Sequence, residues 1–278
     1  MKFPEITIII ANYNYAEHVG AAIDSALSQD YEGRLNICIV DDGSADNSWE
    51  VIKSKLESIN IDESTQKPPS QAIEPVLRST MDCDLGDRTI IAIRTKNNGA
   101  SIARNIGIEY CLEFTDAYCI LDADDEYYKS KVSRLVNKWL YSPKEIGVVY
   151  ADYDILNTNT GRLLEEFKQP YNKEILAQEC IVHSNALISK EAFLSTREAN
   201  GEFYDSNLHG PASGEFIGSC EDYDLWIRIS EKFVIVHIPT SLGIAKITGN
   251  NQSIKTNSKI FQTNSEHMRQ KAQARHNA

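Results

Sequence analysis

The sequence predicts an α/β protein with a mainly parallel central sheet flanked by helices. In its first half, short β-branched apolar runs alternate with segments of helical periodicity, beginning with residues 6–10 and 16–27. Each apolar run ends in polar residues, and ligands of parallel sheets bind beyond the carboxyl ends of the strands. The pattern therefore predicts both the fold class and one edge of the sheet as the place for a site.

The elements can be assigned in order. Strands are predicted at residues 6–10, 35–40, 90–93 and 118–121, with helices over 16–27, after a cap at Asp46 and after a cap at Ser101. The second half is less regular. There the sequence predicts a hairpin of 148–156 with 162–167 and strands at 181–188 and 233–238, which together add a small antiparallel sheet. A helix is predicted over 222–229.

The chain of 278 residues is predicted to form a single domain over 1–249 and a polar C-terminal tail over 250–278. Residues 60–88 are predicted to be a surface insertion, because the polar, proline-rich stretch at 62–70 has no apolar period.

Composition excludes several classes of partner. The formal net charge of −12 opposes binding to nucleic acid and simple docking on anionic lipid. No apolar run reaches the length of a membrane-spanning helix, so we expect a cytoplasmic protein with at most peripheral contact at the inner face of the membrane. The six cysteines form no CxxC pair and are expected to be reduced thiols: Cys38, Cys83, Cys111, Cys119, Cys180 and Cys220.

Three aspartates follow the strand at 118–121, namely Asp122, Asp124 and Asp125. Carboxylates this close repel one another unless a positive charge lies among them, and a hard divalent cation prefers such oxygen ligands. The alternative is a solvated acidic turn that caps the next helix. The position at the end of a strand favours function.

Polar residues also end the first two strands. Asp41 or Asp42 can accept a hydrogen bond from a nucleobase or a ribose hydroxyl, Asn12 can hydrogen-bond a base, and Tyr13 can stack on one. Taken alone, each group is explained as well or better by ordinary turn chemistry.

Other candidates are also ambiguous when each is considered alone. Arg104 can meet a phosphate or pair with the acidic residues, or it can be a surface arginine. Asp222, after Glu221, can be a general base, although a helix cap is favoured from sequence alone. His183 can line a pocket, although a structural histidine is the expectation.

Five segments in this order resemble those of family 2 of the glycosyltransferases, which have the GT-A fold: residues 8–14, 39–44, 98–107, 121–125 and 220–228. The resemblance covers about residues 5–250. It implies a Rossmann-like, mainly parallel central sheet and an inverting transfer of a sugar from a nucleotide donor, with UDP-sugars favoured. The acceptor would be a glycan or a lipid-linked carrier in surface glycan or glycoconjugate biosynthesis.

The resemblance also implies roles for individual residues. Asp42, with Asp41, would hold the base, and Asn12 and Tyr13 would border its pocket. Asp122, Asp124 and Asp125 look like the DXD element, which contacts ribose and binds Mg²⁺ or Mn²⁺, with Asp124 and Asp125 on the metal. Asp222 matches the general base, Glu221 and Trp226 would shape the acceptor side, and Arg104 would contact the donor.

Two features depart from the family pattern. Thr248 stands where a histidine is common, which makes a poorer metal ligand, and the insertion at 60–88 is atypical. One alternative function is therefore a degenerate member that binds nucleotide or a partner without catalysis. Another is a nucleotidyltransferase, which should carry a glycine-rich basic loop after the first strand, and residues 14–18 do not form one.

Overall fold

The computed structural model describes residues 3–58, 61–62, 76–81, 86–142, 145–206 and 220–248, together with 266, 268–270 and 273. Within these residues an eleven-stranded mixed sheet runs through the molecule, in the order β3-β4-β5-β2-β1-β6-β10-β8-β11-β7, with β9 paired to β8. The strands are β1 Ile6–Asn12, β2 Leu35–Asp41, β3 Ile61–Asp62, β4 Leu77–Met81, β5 Arg88–Arg94, β6 Ala117–Asp122, β7 Glu126–Tyr127, β8 Ile146–Asn157, β9 Arg162–Glu166, β10 Leu187–Ser189 and β11 Val234–Ile247. The helices are α1 Val19–Leu27, α2 Ser48–Glu57, α3 Ala100–Cys111, α4 Lys131–Leu140, α5 Lys173–Leu176, α6 Lys190–Thr196 and α7 Glu221–Ser230.

The centre of the sheet is parallel, as predicted: β5, β2, β1 and β6 all run in the same direction. Antiparallel pairs lie outside this centre, where β10 joins β6 to β8 and β9 forms the predicted hairpin with β8. The mainly parallel sheet with added antiparallel strands is thus confirmed.

Helices cover both faces of the sheet, so alternate residues of each central strand pack into different cores. Ile9 of β1 contributes to one core and Ile8 and Ile10 to the other. All seven residues of β2 are buried, as expected for a strand covered on both faces.

The strand register brings the polar residues together. Asn12 at the end of β1 pairs with Asp41 of β2, and Ala11 pairs with Asp122 of β6. Three chain-distant polar groups therefore end at the same level of one edge.

Several boundaries differ from the sequence-based expectation. Helix α3 has Gly99 as its N-cap, with φ 93°, and Ser101 lies fully buried in the first turn instead of capping it. The left-handed conformation suits glycine, which explains the position of the cap. Asp46 precedes the capping residue Asn47, but its carboxylate still accepts from Ser48 N at 2.9 Å. The strand predicted over 181–188 is confined to β10.

The segment 60–88 contributes strands where it is described. β4 pairs antiparallel with β5, and β3 pairs with β4. Val76 is 2% exposed and packs in a core. The sequence-based expectation of a surface loop did not include β4, because the two apolar residues at 76–77 are too few to show a period. In the structure this strand covers the edge of β5.

Parts of two further expectations fall outside the described residues. Most of the predicted tail at 250–278 does so, but Met268 is 1% exposed and belongs to the core that contains Ile9. Cys83 also lies outside, while the other five cysteines are free thiols. Among the described helices, none combines the length and apolar character needed to cross a membrane.

Val76→Ala tests whether the residue before β4 belongs to the core. Removing two buried methyl groups is expected to lower the free energy of unfolding by about 2 kcal/mol. Leu163→Ala, at an exposed position of β9, is the control and should cost less than about 0.5 kcal/mol. Urea denaturation measures both, and equal small effects would show that residue 76 is not packed.

Candidate active site

A cavity of about 500 Å³ opens at the carboxyl edge of the central strands. Its walls come from the ends of β1, β2 and β6, the first turns of α3 and α7, the middle of β8, the segment before β10 and the end of β11. The polar side chains that line it are those of Asn12, Tyr13, Tyr15, Asp42, Asn97, Arg104, Asp122, Asp124, Asp125, Tyr153, His183, Ser184, Glu221, Asp222 and Lys246.

Asp41 lies beneath this cavity and does not line it. Its fully buried carboxylate accepts from Asn12 Nδ2 at 2.8 Å and from Ser44 Oγ at 2.5 Å, and Arg94 Nε lies 3.5 Å away. The role expected for Asp41 in holding the base is therefore corrected. Its place in the structure is to orient Asn12 and the turn after β2.

Asp42 lines the cavity, and three hydrogen bonds fix its carboxylate. Its Oδ1 accepts from Asn98 N at 2.9 Å and Thr95 Oγ1 at 3.2 Å, and its Oδ2 accepts from Gly99 N at 2.8 Å. Burial raises the pKa of Asp42, and these three hydrogen bonds oppose the rise. The carboxylate thus ties the end of β2 to the start of α3.

Two aspartates of the acidic cluster are fixed by the segment before β10. Asp122 Oδ2 accepts from Ser184 Oγ at 3.1 Å, and Asp125 Oδ2 accepts from Asn185 Nδ2 at 3.0 Å. Asp125 Oδ1 accepts from the backbone N–H of Lys246 at 3.0 Å. Sequence reasoning did not assign these three partners, because each lies at least 60 residues away along the chain.

The electrostatics of the cluster favour protonation. Burial, with Asp122 next in effect, raises the pKa of Asp124 to about 6, while the Tyr15 hydroxyl and Lys246 oppose the rise. Burial and the charges of Asp122 and Asp124 raise the pKa of Asp125 well above its usual range. A bound cation would reduce the electrostatic repulsion between these carboxylates.

The cluster is not by itself a complete metal site. Among the described residues, no three histidine, cysteine or acidic side chains are arranged to hold an ion. All three aspartates line the cavity, but Asp122 is already hydrogen-bonded to Arg104 and Ser184, so Asp124 and Asp125 remain as the candidate metal ligands. Two carboxylates suit Mg²⁺ or Mn²⁺ only when a phosphorylated ligand supplies further oxygen atoms. Thr248 is not among the residues that line the cavity.

Arg104 joins the two sides of the cavity. Its Nη1 donates to Glu221 Oε1 at 2.8 Å and its Nη2 to Asp122 Oδ1 at 3.0 Å. Burial opposes its charge, but the carboxylates of Asp222, Asp122 and Glu221 outweigh burial and raise the pKa of Arg104. Arg104 is therefore a buried partner of the acidic residues, one of the two readings that its sequence allowed.

Asp222 lies in the first turn of α7 and lines the cavity. Its Oδ1 is buried with no hydrogen-bond partner among the described residues. Burial, with the charges of Glu221 and Asp122, raises its pKa to about 7 against the opposing effect of Arg104. A carboxyl group that titrates near neutrality can accept a proton from a bound hydroxyl.

The remaining predicted residues divide between the cavity and the core. Tyr13 is 39% exposed at the rim, where its ring is accessible to a planar ligand. Trp226 is fully buried in the core and does not line the cavity. It lies one helical turn deeper than Asp222, so its expected contact with an acceptor is corrected. Lys246, which had no assigned role, lines the cavity and pairs with Glu126.

Comparison with known proteins gives a family and a set of relatives. The model of glycosyl transferase family 2 matches residues 7–195. The chain is 26% identical over 258 residues to the chondroitin synthase of Pasteurella multocida, covering 91% of this chain and 22% of that protein. It is 24% identical to an Escherichia coli UDP-Glc:alpha-D-GlcNAc-diphosphoundecaprenol beta-1,3-glucosyltransferase, WfgD, over 91% of this chain and 80% of that protein.

Solved structures show the same fold. S. aureus TarS 1-349 in complex with UDP superposes with a TM-score of 0.60 at 13% identity, over 87% of this chain and 60% of that one. The mannosyltransferase PcManGT of Pyrobaculum calidifontis, in complex with GDP-Man and Mn²⁺, gives a TM-score of 0.55 at 16% identity, over 89% and 58%. The GT-A fold expected from the sequence is thereby confirmed.

The raised pKa of Asp222 predicts a pH-dependent stability. Its pKa rises from 3.8 to about 7 on folding, so the folded state favours the protonated form. The resulting loss of stability grows as the pH rises from about 4 to about 7 and is complete above that. Asp222→Asn removes it and should raise the melting temperature by a few degrees at pH 8 and by less at pH 5. Asp24→Asn, at an exposed position of α1, is the control, and an equal shift at both pH values for Asp222→Asn would contradict the prediction.

Proposed function

This chain belongs to glycosyl transferase family 2 and is a glycosyltransferase, and we propose that it transfers a sugar from a nucleoside diphosphate donor to an acceptor hydroxyl with inversion. One observation carries the proposal. A single cavity combines Asp222, whose pKa is near neutral and whose Oδ1 has no partner among the described residues, with Asp42 and the acidic cluster. An inverting transfer needs a base and a diphosphate site in the same cavity.

The nucleoside is proposed to lie between β1 and the start of α3. Tyr13 offers an accessible ring for stacking, and Asn12 and Asp42 border the same part of the cavity. Uridine is the preferred base in this proposal, because TarS is solved with UDP and WfgD is named for UDP-Glc. GDP is the competing nucleotide, since PcManGT is solved with GDP-Man.

The diphosphate is proposed to lie over the acidic cluster, where it needs positive charge. Lys246 and Arg104 supply protein cations at the cavity wall. Asp124 and Asp125 would hold Mg²⁺ or Mn²⁺, which as a Lewis acid stabilises the charge of the departing diphosphate. Because these carboxylates are incomplete as a metal site, metal and nucleotide are expected to bind together.

Asp222 is the proposed general base. In its ionised form it accepts the proton of the acceptor hydroxyl while that oxygen bonds to the anomeric carbon. The bond from the anomeric carbon to the diphosphate oxygen breaks, and the nucleoside diphosphate leaves with the bonding electrons. Arg104 pairs with Glu221 and Asp122, so these two carboxylates are held in fixed positions beside the base.

The acceptor is proposed to be a glycan or a lipid-linked sugar, approaching past Glu221 and Asp222. WfgD is named for a diphosphoundecaprenol-linked acceptor, and another relative is a polysaccharide synthase. The process proposed is surface glycan or glycoconjugate assembly, carried out in the cytoplasm with at most peripheral contact at the inner face of the membrane. Residues 1–249 would form the transferase domain.

Asp222→Asn tests the base. The amide keeps the shape of the side chain but cannot take the proton, so turnover is expected to fall by roughly two to four orders of magnitude. Nucleotide affinity, measured by calorimetry, should persist. In the wild type, kcat/KM should rise with pH through about 7 as Asp222 ionises. Unchanged turnover in the variant would show that Asp222 is not the base.

Metal and nucleotide are expected to bind synergistically. UDP titrated with Mn²⁺ should bind more tightly than UDP titrated with EDTA, and Mn²⁺ alone should bind weakly. Thermodynamic reciprocity requires that each ligand tighten the other by the same factor. Asp124→Asn and Asp125→Asn should remove most of this coupling while they preserve the size of each side chain.

Two results would contradict this account. Equal UDP affinity with Mn²⁺ and with EDTA would favour a metal-independent transferase. No binding of UDP, GDP or CDP, each tested with metal present, would reject the nucleotide-donor proposal itself.

A further inference from the structure

The segment immediately before β10 carries three consecutive polar side chains that meet the cavity in different ways. Ser184 and Asn185 face inward and hold Asp122 and Asp125. His183 lines the cavity and touches neither aspartate through a hydrogen bond. His183 therefore lies next to the proposed diphosphate site, but its ring makes no hydrogen bond to the acidic cluster.

The imidazole of His183 is held in one orientation. Its Nδ1 accepts a hydrogen bond from the backbone N–H of Asn185 at 3.1 Å. Its ring packs against that of Tyr153, with centroids 4.0 Å apart and planes at 43°. Lys168 Nζ in turn lies 5.2 Å from the centroid of the Tyr153 ring. These contacts fix the plane of the imidazole and leave the edge that carries Nε2 facing away from Asn185.

The same geometry fixes the tautomer. Because Nδ1 accepts a hydrogen bond from the Asn185 N–H, a neutral His183 must carry its own hydrogen on Nε2. Burial, with the nearby charges of Lys131 and Lys168, lowers the pKa of His183 well below 6.5, so the neutral ring persists through the physiological range. Nε2 has no hydrogen-bond partner among the described residues, and the His183 side chain is half-buried where it lines the cavity. Nε2–H is an uncharged donor at the cavity wall.

We infer that His183 recognises the donor sugar, with Nε2–H donating a hydrogen bond to a hydroxyl or acetamido oxygen of a pyranose ring. This inference rests on the proposed function and adds the side chain that reads the sugar. A neutral donor suits an uncharged hydroxyl, whereas the diphosphate is matched by the cations Lys246 and Arg104. The donor sugar is favoured over the acceptor because Ser184 and Asn185, the next two residues, fix the aspartates assigned to the diphosphate.

The neighbouring wall supports a sugar ring at this place. Ile155 and Ala245, which are paired on neighbouring strands, line the cavity together with the ring of Tyr153, so apolar surface lies beside the donor of His183. Sugar rings present apolar C–H faces as well as hydroxyls, and a fixed donor beside apolar surface favours rings with an oxygen at the matching position. A sugar that lacks that oxygen would cover the Nε2–H donor without pairing with it, which is the costly case.

The test compares nucleotides with and without the sugar. Calorimetry with Mn²⁺ present measures the affinities of UDP, GDP, UDP-glucose, UDP-N-acetylglucosamine and GDP-mannose. His183→Phe keeps the stacked ring and removes the donor. It is expected to weaken the preferred sugar nucleotide by roughly tenfold and to leave the corresponding nucleoside diphosphate unchanged. His183→Gln restores an N–H donor without the ring and should recover part of the loss.

His237→Phe is the matched control, since His237 stacks on Tyr150 and pairs with Asp152 outside the cavity. It should leave the ratio of sugar-nucleotide to nucleotide affinity as in the wild type. Equal loss for nucleotide and sugar nucleotide in His183→Phe would overturn the inference in favour of a structural role. A higher KM for the acceptor alone, or no effect, would overturn it as well. If the wild type binds none of the five ligands, the proposed function itself fails.

Discussion

The buried guanidinium of Arg104 is the interaction on which the rest of the cavity depends. It spans from Asp122, at the end of β6, to Glu221, at the start of α7, two elements that are about a hundred residues apart. Breaking a buried ion pair by removing one partner leaves an uncompensated charge, which is strongly destabilising. Arg104 thereby fixes the distance between the acidic cluster and the helix that carries Asp222, and both sides of the proposed reaction depend on that distance.

The carboxylates of this region differ in how fully they are satisfied, and the difference assigns their roles. Asp41 and Asp42 receive donors from the turns around them, and Asp125 receives donors from Asn185 and Lys246. Asp222 instead keeps a buried oxygen without a partner among the described residues. Satisfied carboxylates stay in place, whereas an unsatisfied one whose pKa is near neutrality can exchange a proton with a substrate.

The central strands were predictable because their signals are local. β-branched runs such as residues 6–10 and 90–93 can be recognised without knowledge of the fold, and polar residues at strand ends meet at one edge of any parallel sheet. The strand β4 was missed because its stability comes from pairing with β5 and not from its own pattern. The cap of α3 was displaced because a positive φ at Gly99 decides where the helix begins.

The sequence by itself determined the α/β class and the acidic cluster, since these follow from patterns within a few consecutive residues, whereas Asp222 became the candidate base only through the resemblance of five segments to the family. The tertiary structure alone decided which of these side chains reach the cavity. It buried Asp41 and Trp226, brought Ser184 and Asn185 to the aspartates, and turned His183 toward the cavity. The physical reason is that a side chain's burial and hydrogen-bond partners come from residues that are distant in the chain, and no local pattern records which of them will meet.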